Sequence, residues 1–115
     1  MNINLTKDAE YMLCALYREY KENLENGSSK TQAKITGSSN RIHKELMGQW
    51  SLEDVDETCC ELSQASLLNC TFADDVVYHS TLSSEAIVYM ENRFKNGLKE
   101  ILDYMVKIKT IIFPV

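Results

Sequence analysis

The sequence has little proline and glycine, and it lacks any long apolar run. Its 115 residues include one Pro and four Gly, which excludes a collagen-like chain or a proline-rich linker. No stretch reaches the roughly 18 uninterrupted apolar residues that a membrane-spanning helix needs. The N-terminus also lacks the basic start and apolar run of a secretory signal. These absences predict a single cytoplasmic domain with no membrane partner.

An excess of positive charge is also missing. Twelve Lys and Arg residues stand against seventeen Asp and Glu residues, which gives a formal net charge of −5. This balance excludes a uniformly basic nucleic-acid coat protein. Hydrophobic residues make up 44% of the chain and charged residues 25%, a composition typical of a folded domain and not of a disordered chain.

Motifs of catalysis and metal binding are absent as well. The chain has no Walker loop, no glycine pattern for a dinucleotide and no G-x-S-x-G elbow. The four cysteines (Cys14, Cys59, Cys60 and Cys70) have neither the number nor the spacing of a disulfide framework or a zinc site. Cys70 and His79 are the one Cys–His pair that a hairpin could bring together, and simple cross-strand packing is favoured over nucleophilic chemistry. We expect reduced thiols, no metal, no cofactor and no enzymatic activity.

The residues that are present predict a mainly α fold with a small β-hairpin. Apolar side chains recur at helical spacing in residues 5–26, 40–47, 51–66, 83–94 and 98–112, with a shorter helix within 28–36. In helix 51–66, the spacing predicts an inward face of Leu52, Val55, Cys59 and Leu62. Residues 67–82 instead contain two β-rich runs around Ala73-Asp74-Asp75, which predict a hairpin.

This order of elements resembles a winged helix-turn-helix domain, and residues 28–88 carry the resemblance. The run from Glu61 to Leu68 (ELSQASLL) is similar to the end of a third helix stepping into the wing. The run from Leu82 to Ile87 resembles the L-T-x-x-G-I segment after the wing, with Ser83 and Ala86 as departures. The chain looks most like the small YjcQ-type winged-helix proteins of Gram-positive bacteria and their phages. The resemblance implies a winged-helix domain over residues 1–97, with a long first helix, followed by a C-terminal amphipathic helix over residues 98–115.

A winged-helix fold implies a DNA-binding or transcription-regulatory function, and one basic segment could supply the contacts. In such domains the helix before the wing enters the major groove, but here that helix, 51–66, has no Lys or Arg. Phosphate contacts normally rest on basic side chains. We therefore predict that double-stranded DNA binds to the segment over residues 28–44, through Lys30, Lys34, Asn40, Arg41 and Lys44.

The acidic helix suggests an alternative function on the same scaffold. Its outward carboxylates would dock on a basic protein, or imitate the phosphate line of DNA in a phage-type inhibitor of a nucleic-acid enzyme. The candidate partner-binding residues are Glu53, Asp56, Glu57 and Glu61. A solvated face that serves solubility alone remains the simplest interpretation.

The last helix carries a wide apolar stripe whose partner the sequence leaves open. The stripe could pack on the first helix of its own chain, lie on a membrane surface, or pair with a second copy in a homodimer. The homodimer is slightly favoured. Its predicted interface consists of Leu98, Ile101, Leu102, Met105 and Ile108.

Overall fold

A computed structural model describes residues 3–114, which form six helices and one antiparallel hairpin. The helices are α1 (Lys7–Glu25), α2 (Lys30–Ala33), α3 (Ser39–Leu46), α4 (Leu52–Gln64), α5 (Ser84–Arg93) and α6 (Leu98–Ile112), and the strands are β1 (Leu68–Ala73) and β2 (Val76–Leu82). The predicted mainly α fold with a small hairpin is confirmed. Within the described residues, no helix combines the length and apolar character needed to cross a membrane.

Hydroxyl side chains fix where most of the helices begin. Thr6, Ser29, Ser38, Ser51 and Ser83 each precede a helix, and each side-chain oxygen accepts a hydrogen bond from the backbone N–H three residues later. Such caps satisfy one of the amide groups that a helix start leaves without a partner. α6 is different, because it follows Gly97, whose φ of 89° lies in the left-handed region that glycine adopts easily.

α1 forms the centre of the hydrophobic core. Every residue from Tyr11 to Tyr17 is buried, because α4, α5 and α6 all pack against this helix. An amphipathic helix buries one stripe, whereas the middle of α1 is covered on nearly all sides. The first helix therefore organises the fold, and the other helices cover it.

α6 packs on α1 of its own chain, which is one of the partners that the sequence left open for its apolar stripe. Of the residues predicted to form a dimer interface, Ile101, Met105 and Ile108 are at most 7% exposed within the single chain. Leu98 is half-buried against the same core, and Leu102 remains 39% exposed. The predicted division at residue 97 is not reflected in the packing, because α6 belongs to the one core cluster. Residues 1, 2 and 115 of the two predicted segments lie outside the described residues.

The hairpin turns at Asp74 and Asp75, both of which have positive φ angles, 52° and 64°. Two central residues with positive φ are what a two-residue turn of type I′ requires, and Asp tolerates this conformation better than most residues. The predicted hairpin is confirmed although its turn contains no glycine. Its register places Thr71 opposite His79 and Phe72 opposite Val77, which leaves Tyr78 as an extra residue in β2.

A short segment before α3 extends the sheet beyond β2. Ile35 forms an antiparallel bridge with Thr81. The backbone N–H of Leu82 donates to the Lys34 carbonyl at 2.8 Å, and that of Thr36 donates to the Ser80 carbonyl at 3.0 Å. The order across the sheet is therefore the segment 34–37, then β2, then β1.

Candidate functional site

The basic residues predicted to contact DNA lie on α2 and α3 and in the segment that follows α2. Lys30, Asn40 and Lys44 are exposed. Lys34 is half-buried, and its Nζ donates to Ser84 Oγ at 3.2 Å. These four side chains therefore remain accessible in whole or in part.

Arg41, which was also predicted to contact DNA, is engaged by other groups of the protein. Its guanidinium pairs with Glu19 of α1 and with Glu45 of α3, the latter at 2.7 Å, and it donates to the Thr36 carbonyl at 3.2 Å. Burial opposes its charge, but the two carboxylates outweigh burial and raise the pKa of Arg41 above its usual value. A guanidinium with three protein acceptors is committed to holding α3 on α1.

The acidic face of α4 also divides into free and engaged carboxylates. Glu53 and Glu57 are exposed, in line with the prediction. Asp56 accepts a hydrogen bond from the Val77 N–H at 2.9 Å. Glu61 accepts from the backbone N–H and the hydroxyl of Thr6, at 2.8 and 2.7 Å. Asp56 and Glu61 are therefore already engaged within the protein, whereas Glu53 and Glu57 are free of such bonds among the described residues.

An acidic cleft lies between α4 and the start of α1. Its volume is about 460 Å³, and its walls include the carboxylates of Asp8, Asp54, Glu57 and Glu61. Within residues 3–114, no group of three or more His, Cys, Asp or Glu side chains has a metal-binding arrangement. The cleft concentrates negative charge at the surface beside Glu53, which strengthens attraction to a cationic group.

Cys70 and His79 do not face each other. The register pairs Cys70 with Ser80 and Thr71 with His79, so the two side chains point to opposite faces of the hairpin. Cys70 Sγ donates to the Cys59 carbonyl at 3.8 Å, and burial raises the pKa of its thiol to about 11. The expected cross-strand packing of this pair is therefore wrong, and His79 is not positioned to act as a base for the Cys70 thiol.

The hairpin exposes apolar residues that were not among the sites predicted from the sequence. Phe72, Val76 and Tyr78 are 47%, 43% and 56% exposed. The sequence contained an indication of this exposure, because these apolar residues flank an acidic turn. Hairpin residues next to such a turn are usually polar. Leu52, predicted to point inward, is likewise exposed, at 39%, because it is the first residue of α4. Exposed aromatic residues are typical of protein interfaces.

A scan against protein-family models, a search of curated proteins and a search of solved structures each return no match to this chain.

Proposed function

We propose that this protein is a non-catalytic binding protein on a winged-helix scaffold, and that it docks on a basic protein partner through α4. The observation that carries the proposal is the solvent face of α4, where Glu53 and Glu57 are exposed beside an acidic cleft.

The order and packing of the elements support the scaffold. α3 and α4 pack against each other in the manner of a helix-turn-helix pair, and the hairpin directly follows α4. The segment 34–37 lies beside β2, where a winged-helix sheet has its first strand. Asp56 holds the hairpin to α4 through the Val77 N–H. That bond fixes the position of the hairpin relative to α4.

Charge favours a protein partner over DNA at this surface. From Ser51 to Asp75, the sequence contains seven acidic residues and no basic residue. Duplex DNA carries about one negative charge per 1.7 Å of helix axis, so α4 would be repelled from the major groove. A basic protein surface is attracted by the same carboxylates, which would raise its association rate and fix its orientation.

A pair of double variants tests this proposal. Glu53→Lys with Glu57→Lys reverses the charge of the α4 face. Glu25→Lys with Glu91→Lys changes the net charge equally at exposed sites on α1 and α5. Proteins of the source cell are captured on each immobilised variant and quantified by mass spectrometry.

We expect one basic protein to be retained by the wild type and by the α1/α5 variant. The amount of this protein retained by the α4 variant should fall about tenfold or more, because charge pairs that are desolvated in an interface carry specificity. Equal retention by both double variants would contradict the α4 surface. An equal loss of the partner by both double variants would mean that net charge alone decides retention. The acidic residues of α4 would then serve only solubility.

A second candidate function is duplex DNA binding through Lys30, Lys34, Asn40 and Lys44. It is favoured by one observation: within the described residues, none of these three lysines forms a salt bridge with a carboxylate. About three phosphate contacts predict an affinity that falls roughly 40-fold between about 50 and 200 mM salt. A titration of a labelled duplex with wild type and Lys44→Ala checks this. No binding at about 50 mM salt excludes it.

A further inference from the structure

β1 forms an open edge of the sheet. The segment 34–37 covers the other side of β2, but no backbone hydrogen bond from outside the hairpin reaches Asn69–Ala73 within the described part of the chain. Asn69, Thr71, Phe72 and Ala73 are all exposed. An open edge presents unpaired N–H and C=O groups, which can take up a strand from another chain.

The register identifies which backbone groups of β1 point outward. Leu82 and Ser80 of β2 direct their backbone groups away from β1, because they bond to Lys34, Thr36 and Gly37. In an antiparallel pair, the backbone N–H and C=O groups of two opposite residues either both point towards the partner strand or both point away from it. Leu68 lies opposite Leu82, and Cys70 lies opposite Ser80. The backbone groups of Leu68 and Cys70 therefore face the open edge.

The same argument extends to the exposed end of the strand. The Val77 N–H donates to Asp56 and the Val77 carbonyl accepts from Ser39 Oγ, so Val77 also points away from β1. Its partner in the register is Phe72. Cys70 and Phe72 thus offer two neighbouring sets of backbone donors and acceptors along the edge, spaced for an added strand.

This edge lacks the features that usually prevent strand addition. Natural edge strands carry charged residues, proline or a bulge, whereas β1 reads Leu-Asn-Cys-Thr-Phe-Ala and the bulge lies in β2. A groove of about 660 Å³ runs beside the first half of the strand. Ser63, Ser66, Asn69 and Glu85 are among its lining residues. The edge has both the backbone groups and the space that an added strand requires.

Carboxylates flank both ends of the edge and indicate the charge of its occupant. Glu85 lines the groove beside Leu68, and Asp74 and Asp75 follow the last residue of β1. A second copy pairing antiparallel would bring its own Asp74 and Asp75 towards Glu85, which is unfavourable between like charges. An extended segment with Lys or Arg at both ends would instead meet a carboxylate at each end.

We infer that β1 is a docking edge for an extended basic segment of another protein, which adds as a third strand of the hairpin sheet. The inference deepens the proposed function and rests on its claim that the partner is a basic protein. It assigns the partner a second contact, separate from the α4 face. Backbone hydrogen bonds supply the binding, and the flanking carboxylates select a basic segment.

A designed peptide tests the edge directly. The probe is a fluorescein-labelled nonapeptide with alternating Val and Thr in the middle and two Lys at each end. One comparison peptide carries N-methyl groups on two adjacent central residues, which blocks both of its edges. A second comparison peptide has Glu in place of every Lys. Binding is measured by fluorescence anisotropy, and amide hydrogen exchange is followed at Cys70 and Phe72.

The expected result is binding of the basic peptide only, with exchange at Cys70 and Phe72 slowed at least about tenfold by the new hydrogen bonds. Phe72→Pro removes an outward N–H without removing a ladder bond, and it should weaken binding about tenfold or more. Phe72→Val keeps the N–H and should stay within about threefold. The N-methylated peptide tests the same bonds on unaltered protein, should Phe72→Pro fail to fold.

Three results would overturn the inference. These are no binding up to about 1 mM peptide, equal binding of the N-methylated peptide, or a dimer in sedimentation that Phe72→Pro converts to monomer.

The α4 variant Glu53→Lys with Glu57→Lys separates the two proposals, since it leaves the β1 backbone unchanged. Peptide binding that survives this variant supports the edge even if the α4 proposal fails. Loss of the cellular partner without any peptide binding supports α4 alone.

Discussion

Replacing Arg41 by Ala tests whether this residue is structural or belongs to a nucleic-acid surface. The guanidinium is 29% exposed, Glu19 is 21% exposed and Glu45 is 55% exposed. The Glu45 pair contributes little at that exposure. The Glu19 pair and the bond to the Thr36 carbonyl contribute more, because hydrogen bonds to charged groups contribute about 1.5–3 kcal/mol each before solvent screening. After that discount, we expect Arg41→Ala to lower the free energy of unfolding by about 1.5–2.5 kcal/mol.

Urea denaturation followed by circular dichroism measures this loss, together with a thermal scan. For a chain of this size, we expect the melting temperature to fall by roughly 6–10 °C. Lys44→Ala is the matched control, because Lys44 is exposed on the same helix and should change stability by less than about 0.5 kcal/mol. A double-mutant cycle of Arg41→Ala with Glu19→Gln should give a coupling of about 1 kcal/mol. If Arg41→Ala unfolds no more easily than Lys44→Ala, the structural assignment of Arg41 fails.

Three further predictions concern the core and the hairpin. Tyr104→Phe removes the hydrogen bond to Glu10 and should cost about 1–2 kcal/mol in urea denaturation. Burial raises the pKa of Tyr104 to about 12 from an ordinary 10. The unfolded chain therefore loses this proton at a lower pH than the folded protein, and the free energy of unfolding of the wild type should fall between pH 10 and 12. An equally steep fall in the Phe variant would contradict this. Asp75→Gly should stabilise the hairpin by about 0.5–1 kcal/mol, since φ is 64° there, and a lower urea midpoint would refute the turn assignment. Burial raises the pKa of Cys14 and of Cys59 to about 12, so iodoacetamide at pH 8 should leave both unmodified in the native protein, and rapid labelling would show that they are accessible.

The limits of helices and strands could be predicted closely, because they depend on local chemistry. Thr6, Ser51 and Ser83 each stand at the start of a helix, and each side-chain oxygen accepts a hydrogen bond from the backbone N–H three residues later. α6 begins and ends where its apolar spacing indicated, at Leu98 and Ile112. The hairpin followed from β-rich runs on either side of an acidic turn. Each of these features involves residues a few positions apart in the chain.

The role of each charged side chain depended on the tertiary structure. Arg41 is followed by Glu45 on one helical face, but its other carboxylate, Glu19, comes from α1 and becomes a neighbour only after the helices pack. The same is true of Glu61 with Thr6 and of Asp56 with Val77. A free and a paired carboxylate have the same sequence signature. The sequence therefore predicted that all four α4 residues are equally available to a partner.

The sequence alone determined a mainly helical chain with one hairpin, an acidic α4 and a basic stretch over residues 28–44. Periodicity, caps and composition are local properties, and they can be recognised in the sequence without knowledge of how the helices pack. Only the tertiary structure decided that α6 covers its own α1 and that β1 is the open edge of the sheet. Both depend on which surfaces meet when distant segments bury apolar area together, and an amphipathic stripe gives the same periodicity whichever partner covers it.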